Sequence, residues 1–420
     1  AAAASVVVSA EWPTYRGDCR RSGYSSEELS ERLSLNWQYT PRHRPQPAWS
    51  DRDTRMPFDR APHPVISGGR LFFGSSADCK VYALDASSGE ELWSFFCDGP
   101  VRFAPVLAGD RLFVASDDGH LYCLSADRGR QLWRIRGGPG ESRVLGNDRL
   151  ISRWPARGGP VVADGVVYFG AGIWPSEGIY LYALDAESGR TVWCNDSSGG
   201  ISMPQPHPGA NAASGVSAQG YLAISGDLLL VPTGRAVPAA FDRRSGQFRY
   251  FHLQQNGKLG GSEITAAERW FLNSQSAFDL ASGARHASFP KLAAPLTAIT
   301  PRQIVHWQSG KLDISRSQEK SAPDRRGAPV AAVDLEPLWS APCPHGGNAL
   351  IVAGAKAVSA GLGPGGFGID LVDLEAREPS ATAPLEEEPL GLAAAAGRLY
   401  VAAASGTILC FGEPGGSPPK

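Results

Sequence analysis

An eleven-residue pattern, A-x-D-x-x-x-G-x-x-x-W, recurs along the chain and limits what it can fold into. ALDASSGEELW holds Ala83, Asp85, Gly89 and Trp93. CLSADRGRQLW keeps the register with Cys123, Ser125, Gly129 and Trp133, and ALDAESGRTVW with Ala183, Asp185, Gly189 and Trp193. Two further copies decay. AFDRRSGQFRY retains Ala240, Asp242 and Gly246 but ends on Tyr250, and AFDLASGARHA retains Ala277, Asp279 and Gly283 but ends on Ala287.

Each part of the pattern has a physical reason. VYALD and ELWSF alternate as strands do; between them Asp accepts hydrogen bonds from turn amides and Gly supplies a positive φ, so the copy reads as a hairpin. A second hairpin lies upstream in PVISGGRLFFGS, PVLAGDRLFVAS and PVVADGVVYFGA. Each unit is therefore four antiparallel strands. Such a sheet cannot bury both faces alone, and units recurring at about 40 to 60 residues must stack face to face, the signature of a propeller, with Trp packed between neighbours.

Eight units follow, so the expected fold is all-β: an eight-bladed β-propeller of four-stranded antiparallel blades. Expected blades cover approximately 60–97, 101–136, 157–195, 217–252, 260–289, 293–341, 346–385 and 388–412. The last unit ends at ILCFG without an outer strand, while LSLNWQY near 33–39 is an orphan strand carrying Trp37, so the N-terminal strand is expected to close the ring. Closure would remove exposed sheet edges. Residues 1–10 read as a signal remnant or disordered lead, 11–412 as one propeller and 413–420 as a tail.

Composition agrees: 49 Gly and 33 Pro favour many short strands over long helices. A formal charge of −2, with both signs evenly spread, gives no footprint for nucleic acid or an anionic membrane, and no run is long enough to span a bilayer. Seven scattered cysteines form no CxxC, adjacent pair or CxxCH. Cys123 and Cys410 stand at the repeat position of Ala83, as small strand residues. No phosphate loop, Gly-x-Ser-x-Gly elbow or HExxH is present.

The repeat, preceded by PVV-x-DG-x-VYFG, resembles that of pyrroloquinoline quinone (PQQ) propellers. That group includes quinoprotein alcohol dehydrogenases and non-enzymatic envelope proteins such as outer-membrane assembly factors. The resemblance covers residues 60 to 290, and the opening WPTYRGDCRRSGYS is similar to the lead segment of bacterial, notably planctomycete-type, members. It implies the architecture more than an activity, because the repeated residues build blades. The dehydrogenases add an adjacent cysteine pair, calcium-ligating Glu and Asn with an acidic base, and often a haem motif; the cysteine pair and the haem motif are absent here. No catalytic or metal-ligating residue carries over.

In an up-and-down blade the tight turns emerge on one face, and the connections between strands two and three and between blades on the other. The long inserts at 137–159, 196–219 and 172–178 all open on the second face, which is the candidate for binding. The polar SQEKSAPDRRGAP insert of blade six projects on the first face and reads as a disordered loop. Arg102 and Arg157 share a repeat position, with Gln219 their equivalent and Arg60 one place off. With His63 they are expected to ring the channel mouth and hold an anionic or sugar ligand; the competing reading is that they pair with acids at blade junctions. Trp154 and Trp174, each followed by Pro, would flank them as an aromatic platform or form the core of their own loop. Cys343 and His345 match no metal spacing.

Sequence therefore points to a monomeric, exported or periplasmic scaffold without catalysis, binding a protein or an anionic or saccharide ligand, with no cofactor. The alternative is a PQQ- and calcium-dependent oxidoreductase.

Overall fold

The computed structural model describes residues 11–49, 56–146, 148–207, 209–234, 236–256, 259–286, 289–323 and 329–413. The chain lead at 1–10 and most of the expected tail lie outside them. Eight sheets stand around a central axis, mainly four-stranded and antiparallel. Blade one runs through Val65–Ser67, Arg70–Ser75, Lys80–Asp85 and Glu91–Phe96, in that order from the axis outward. Blade eight supplies only Pro389–Ala395, Arg398–Ala403 and Ile408–Gly412; Ser34–Tyr39 adds antiparallel as its outer strand and closes the ring. Among the described residues blade five has three strands, Ile264–Ala266, Trp270–Asn273 and Ser276–Asp279.

The repeat residues do the work their chemistry suggests. Asp85 Oδ1 accepts the amides of Ser87 and Ser88, and Gly89 sits at φ 76°. Each ring at the repeat's last position leans on the following blade. Trp93 Nε1 donates to Ala126 O of blade two at 3.2 Å, Trp133 to Glu187 O of blade three at 3.0 Å, and Trp193 to Arg243 O of blade four at 3.0 Å. Trp37 of the closing strand does the same to Ala86 O of blade one at 3.1 Å. The glycine of the receiving blade is required twice over. A Cβ on Gly129 would lie 2.5 Å from the Trp93 ring, and its φ is 65°. The pattern thus encodes both halves of one contact: a ring that reaches forward and a glycine that receives the ring from behind.

The insert of blade six differs from the expectation of a disordered loop. Lys311–Pro323 and Pro329–Pro342 pair as one long hairpin with a register shift between Ile314 and Ser315, and only its tip at 324–328 lies outside the described residues. The segment VAAVDL, with Val330 and Val333, carries a strand tendency that the polar count concealed. Among the described residues no helix is long and apolar enough to cross a membrane.

Candidate functional site

The channel mouth on the insert-bearing face is built from the positions just before each innermost strand. Arg102 and Arg157 project there from equivalent places, as their shared register implies, but they do not face solvent. Both side chains are 2% exposed. Asp117, at the end of the second strand of blade two, lies between them. Arg157 grips it with two bonds, Nε to Oδ1 at 2.6 Å and Nη2 to Oδ2 at 2.9 Å. Arg102 Nε takes Oδ2 at 2.5 Å and its Nη1 reaches Asp59 Oδ2 at 2.6 Å. Two guanidinium groups and two carboxylates therefore cancel inside the protein.

Burial pushes the Asp117 carboxyl up, but the charges of Arg157 and Arg102 outweigh it and hold the group below the usual carboxylate range. Asp59 goes the other way: burial exceeds the pull of Arg102 and Arg157 and raises it.

The chain covers this cluster itself. Residues 41–49 cross the mouth from the closing strand, where Gln46 O accepts Arg102 Nη1 at 2.6 Å and Ala48 N donates to Asp59 Oδ2 at 2.8 Å. Trp49 Nε1 donates to Gln219 Oε1 at 3.3 Å. Gln219 is buried, and its Nε2 and Asp59 Oδ1 have no hydrogen-bond partner among the described residues.

Deeper along the axis a second layer closes the channel. Tyr15 stacks on Tyr221 with centroids 3.7 Å apart and meets His63 edge-on at 4.8 Å. Its hydroxyl donates to Glu263 Oε2 at 2.8 Å. Burial, followed by the nearby Arg16 charge, lowers His63 to about 4, which keeps the imidazole neutral.

Tyr15 belongs to the WPTYRGDCRRSGYS segment, which circles the opposite end of the channel. Trp12 exchanges backbone bonds with Ile66 of blade one, at 3.0 and 2.9 Å. Carbonyls of Pro13, Cys19, Arg20, Ser22 and Gly23 then accept amides of Leu107, Ile224, Ala266, Ile299 and Val352, each on the innermost strand of a further blade. Arg21 reaches blade three at Pro160 O, 2.9 Å, and Ser30 N reaches blade eight at Gly397 O, 3.3 Å. Arg16 clamps three carbonyls of other blades, Pro295 O, Leu350 O and Thr297 O. All eight blades are touched by the stretch from Trp12 to Ser30.

The remaining expectations separate. Arg60 stays partly exposed and approaches Glu388 Oε2 at 3.5 Å, away from the Arg102 cluster. Trp154 is buried, packs over Gly138 of its own insert and donates to Glu177 O of the 172–178 insert at 2.7 Å, so it joins two inserts instead of facing a ligand. Trp174 is 55% exposed and meets Trp49 edge-on at 6.5 Å. His345 is held by Asp370, Nδ1 to Oδ1 at 3.0 Å. The first insert is a hairpin, Arg143–Gly146 paired with Arg149–Ser152, whose Leu145 and Leu150 are 77% and 62% exposed.

Sequence reasoning missed Asp117, Asp59, Tyr15, Tyr221 and Glu263. Tyr221 and Glu263 stand at the repeat position of His63, two places after Gln219 and its equivalents, and the same register could have placed them on the axis. Asp59 and Asp117 carry no periodic signal.

A calcium ion with its quinone needs free carboxylate and amide oxygens, an acidic base and room on the axis. Here Asp59 and Asp117 face guanidinium groups, Tyr15 and Tyr221 fill the axis, and among the described residues no three His, Cys, Asp or Glu side chains are grouped to hold a metal ion. These residues do not fit that group.

A family profile described as outer membrane protein assembly factor BamB matches residues 37–152. Among solved structures, a quinohemoprotein alcohol dehydrogenase from Comamonas testosteroni superposes with a TM-score of 0.61 at 14% identity, over 98% of this chain and 82% of that one. A europium-containing methanol dehydrogenase gives 0.61 at 12% identity, over 94% and 89%. The computationally designed Ika8 protein gives 0.53 at 12%, over 86% and 98%. No curated protein sequence matches. At such identities the likeness to solved structures is one of fold. The eight-bladed fold spans the chain and the profile match lies on its first repeats, so this protein is an eight-bladed β-propeller whose residues 37–152 carry PQQ-like repeats.

Proposed function

We propose that this propeller is a non-catalytic scaffold of the bacterial envelope that binds a partner protein through its insert-bearing face. The supporting observation is that the channel is filled from both ends by the chain's own side chains, while the insert-bearing face offers solvent an apolar hairpin tip, Leu145 and Leu150, and the indole of Trp174. Leu145 and Leu150 stand directly opposite each other in the hairpin, so the two bare side chains form one contiguous apolar patch, the kind of surface that marks an interaction site. The profile match to an outer membrane assembly factor supports the envelope setting.

The test is capture from envelope extracts of the source organism, with wild type beside Leu145→Ser/Leu150→Ser. The scaffold reading expects one specific partner, lost in the double variant while circular dichroism and melting stay unchanged. An identical capture pattern for both proteins overturns it. In parallel, PQQ with Ca²⁺ is added to the purified protein. No thermal shift and no dye-linked alcohol oxidation are expected, and the appearance of either would favour the oxidoreductase alternative.

A further inference from the structure

Cys79 and Cys97 terminate a pair of antiparallel strands in blade one. The ladder between Lys80–Asp85 and Glu91–Phe96 ends with Lys80 opposite Phe96. One residue further on each strand is a cysteine, and Cys97 N donates to Cys79 O at 2.8 Å. One backbone hydrogen bond thus joins the two cysteines directly just beyond the ladder, which brings their main chains close together, as a disulfide with a Cα separation of roughly 4.4–6.8 Å requires.

Blade two repeats the construction with different residues. Gly137 N donates to Gly119 O at 2.8 Å, and Tyr122 bonds Asp118 as Tyr82 bonds Asp78. Both equivalent positions are glycine there, and Gly119 has φ 89°. Cys79 occupies the same corner at φ 60°, a region that favours glycine. Blade one therefore carries cysteine at both members of a pair that its neighbour fills with glycine, and one of them at a conformational cost. Filling space does not explain that choice at Cys79, which is only partly buried.

We infer that Cys79 and Cys97, both free thiols in this structure, are the two halves of a disulfide that closes under oxidising conditions. Cys79 is the accessible member, and Arg149 Nη1 lies 3.3 Å from its Sγ, a cation where a thiolate would form. Burial pushes both thiols up, but the Arg149 charge draws Cys79 back, whereas the carboxylate of Asp118 adds to the rise at Cys97.

The Cys79 thiolate attacks a small-molecule disulfide such as oxidised glutathione, forming a mixed disulfide and expelling one small thiolate. The Cys97 thiolate then attacks the Cys79 sulfur and expels the second. Two cysteine thiols are oxidised, one small disulfide is reduced to two thiols, and the two cysteine protons pass to the departing thiolates. The bond would tie the 76–79 turn to the connection after Cys97. Arg149 would keep Gln46 Oε1 at 2.6 Å and Ala77 O at 2.5 Å.

The full chain is treated with oxidised glutathione, its thiols are counted, and an unreduced digest is mapped by mass spectrometry. The unreduced digest of wild type should yield a peptide linked through Cys79 and Cys97, two of its seven thiols being lost there and any adduct at the exposed Cys194 being mapped separately. Its melting temperature should rise by about 3 °C, reversed by dithiothreitol. Cys97→Ala should stop at a single glutathione adduct on Cys79. Seven thiols surviving in treated wild type, or a link through other cysteines, would overturn the assignment; the wild-type readout stands whether or not the variant folds.

Discussion

Arg102 and Arg157 illustrate how position and role come apart at the level of single residues. Their shared register puts both at the channel mouth, where they are found; it does not say whether they face a ligand or a carboxylate. Asp117 decides that, by accepting three of their hydrogen bonds inside the protein. Taking charges out of water is costly, and removing one partner of a buried pair leaves the other uncompensated, at about 3–5 kcal/mol. Arg157→Ala should therefore lower stability by about that much in chemical denaturation. A residue poised for an external anion would give nearly unchanged unfolding and a loss of binding, so wild-type stability in the variant would contradict the structural role.

At the level of the element, the repeat is a statement about two blades at once. The hairpin residues Asp and Gly are local, and their meaning could be read directly because turn chemistry depends on neighbours in sequence. The contact of Trp93 with Gly129 spans the blade boundary, yet it too was legible, since the same pair recurs in Trp133 with Gly189 and Trp193 with Gly246. Gly129→Ala places a methyl group 2.5 Å from the Trp93 ring at φ 65°. It should destabilise by about 2–4 kcal/mol, from backbone strain together with displacement of the ring. The intrinsic tryptophan fluorescence should shift with it; an unperturbed spectrum and melting curve would refute this packing. The blade-six hairpin was not legible in the same way, because the polar residues of SQEKSAPDRRGAP mask the pairing of two strands adjacent in sequence.

For the molecule as a whole, the ring has two fasteners. Ser34–Tyr39 completes blade eight, an arrangement expected from an orphan strand and a missing one. The segment from Trp12 to Ser30 is the second, and it binds the inner strands rather than the outer ones. Backbone hydrogen bonds of this kind contribute about 0.5–1.5 kcal/mol each, and Arg16 and Arg21 add clamps on buried carbonyls. Deleting residues 11–31 should lower the melting temperature by at least about 5 °C or prevent folding altogether. A truncated chain that melts like wild type would show the segment to be ornamental.

The sequence by itself determined the blade, the number of blades, the closing strand and the face that carries the inserts. These follow from short-range periodicity, which turn geometry and strand alternation write directly into residue order. Only the tertiary structure decided what fills the middle. Arg16 reaches Leu350 across 334 positions, and its target is a backbone carbonyl that every residue possesses. Asp117 meets Arg157 across 40 positions with no repeat to announce it. Contacts made to the main chain or to an unrepeated acid leave no pattern in the sequence, so the filling of the channel could be seen only once the ring was closed around it.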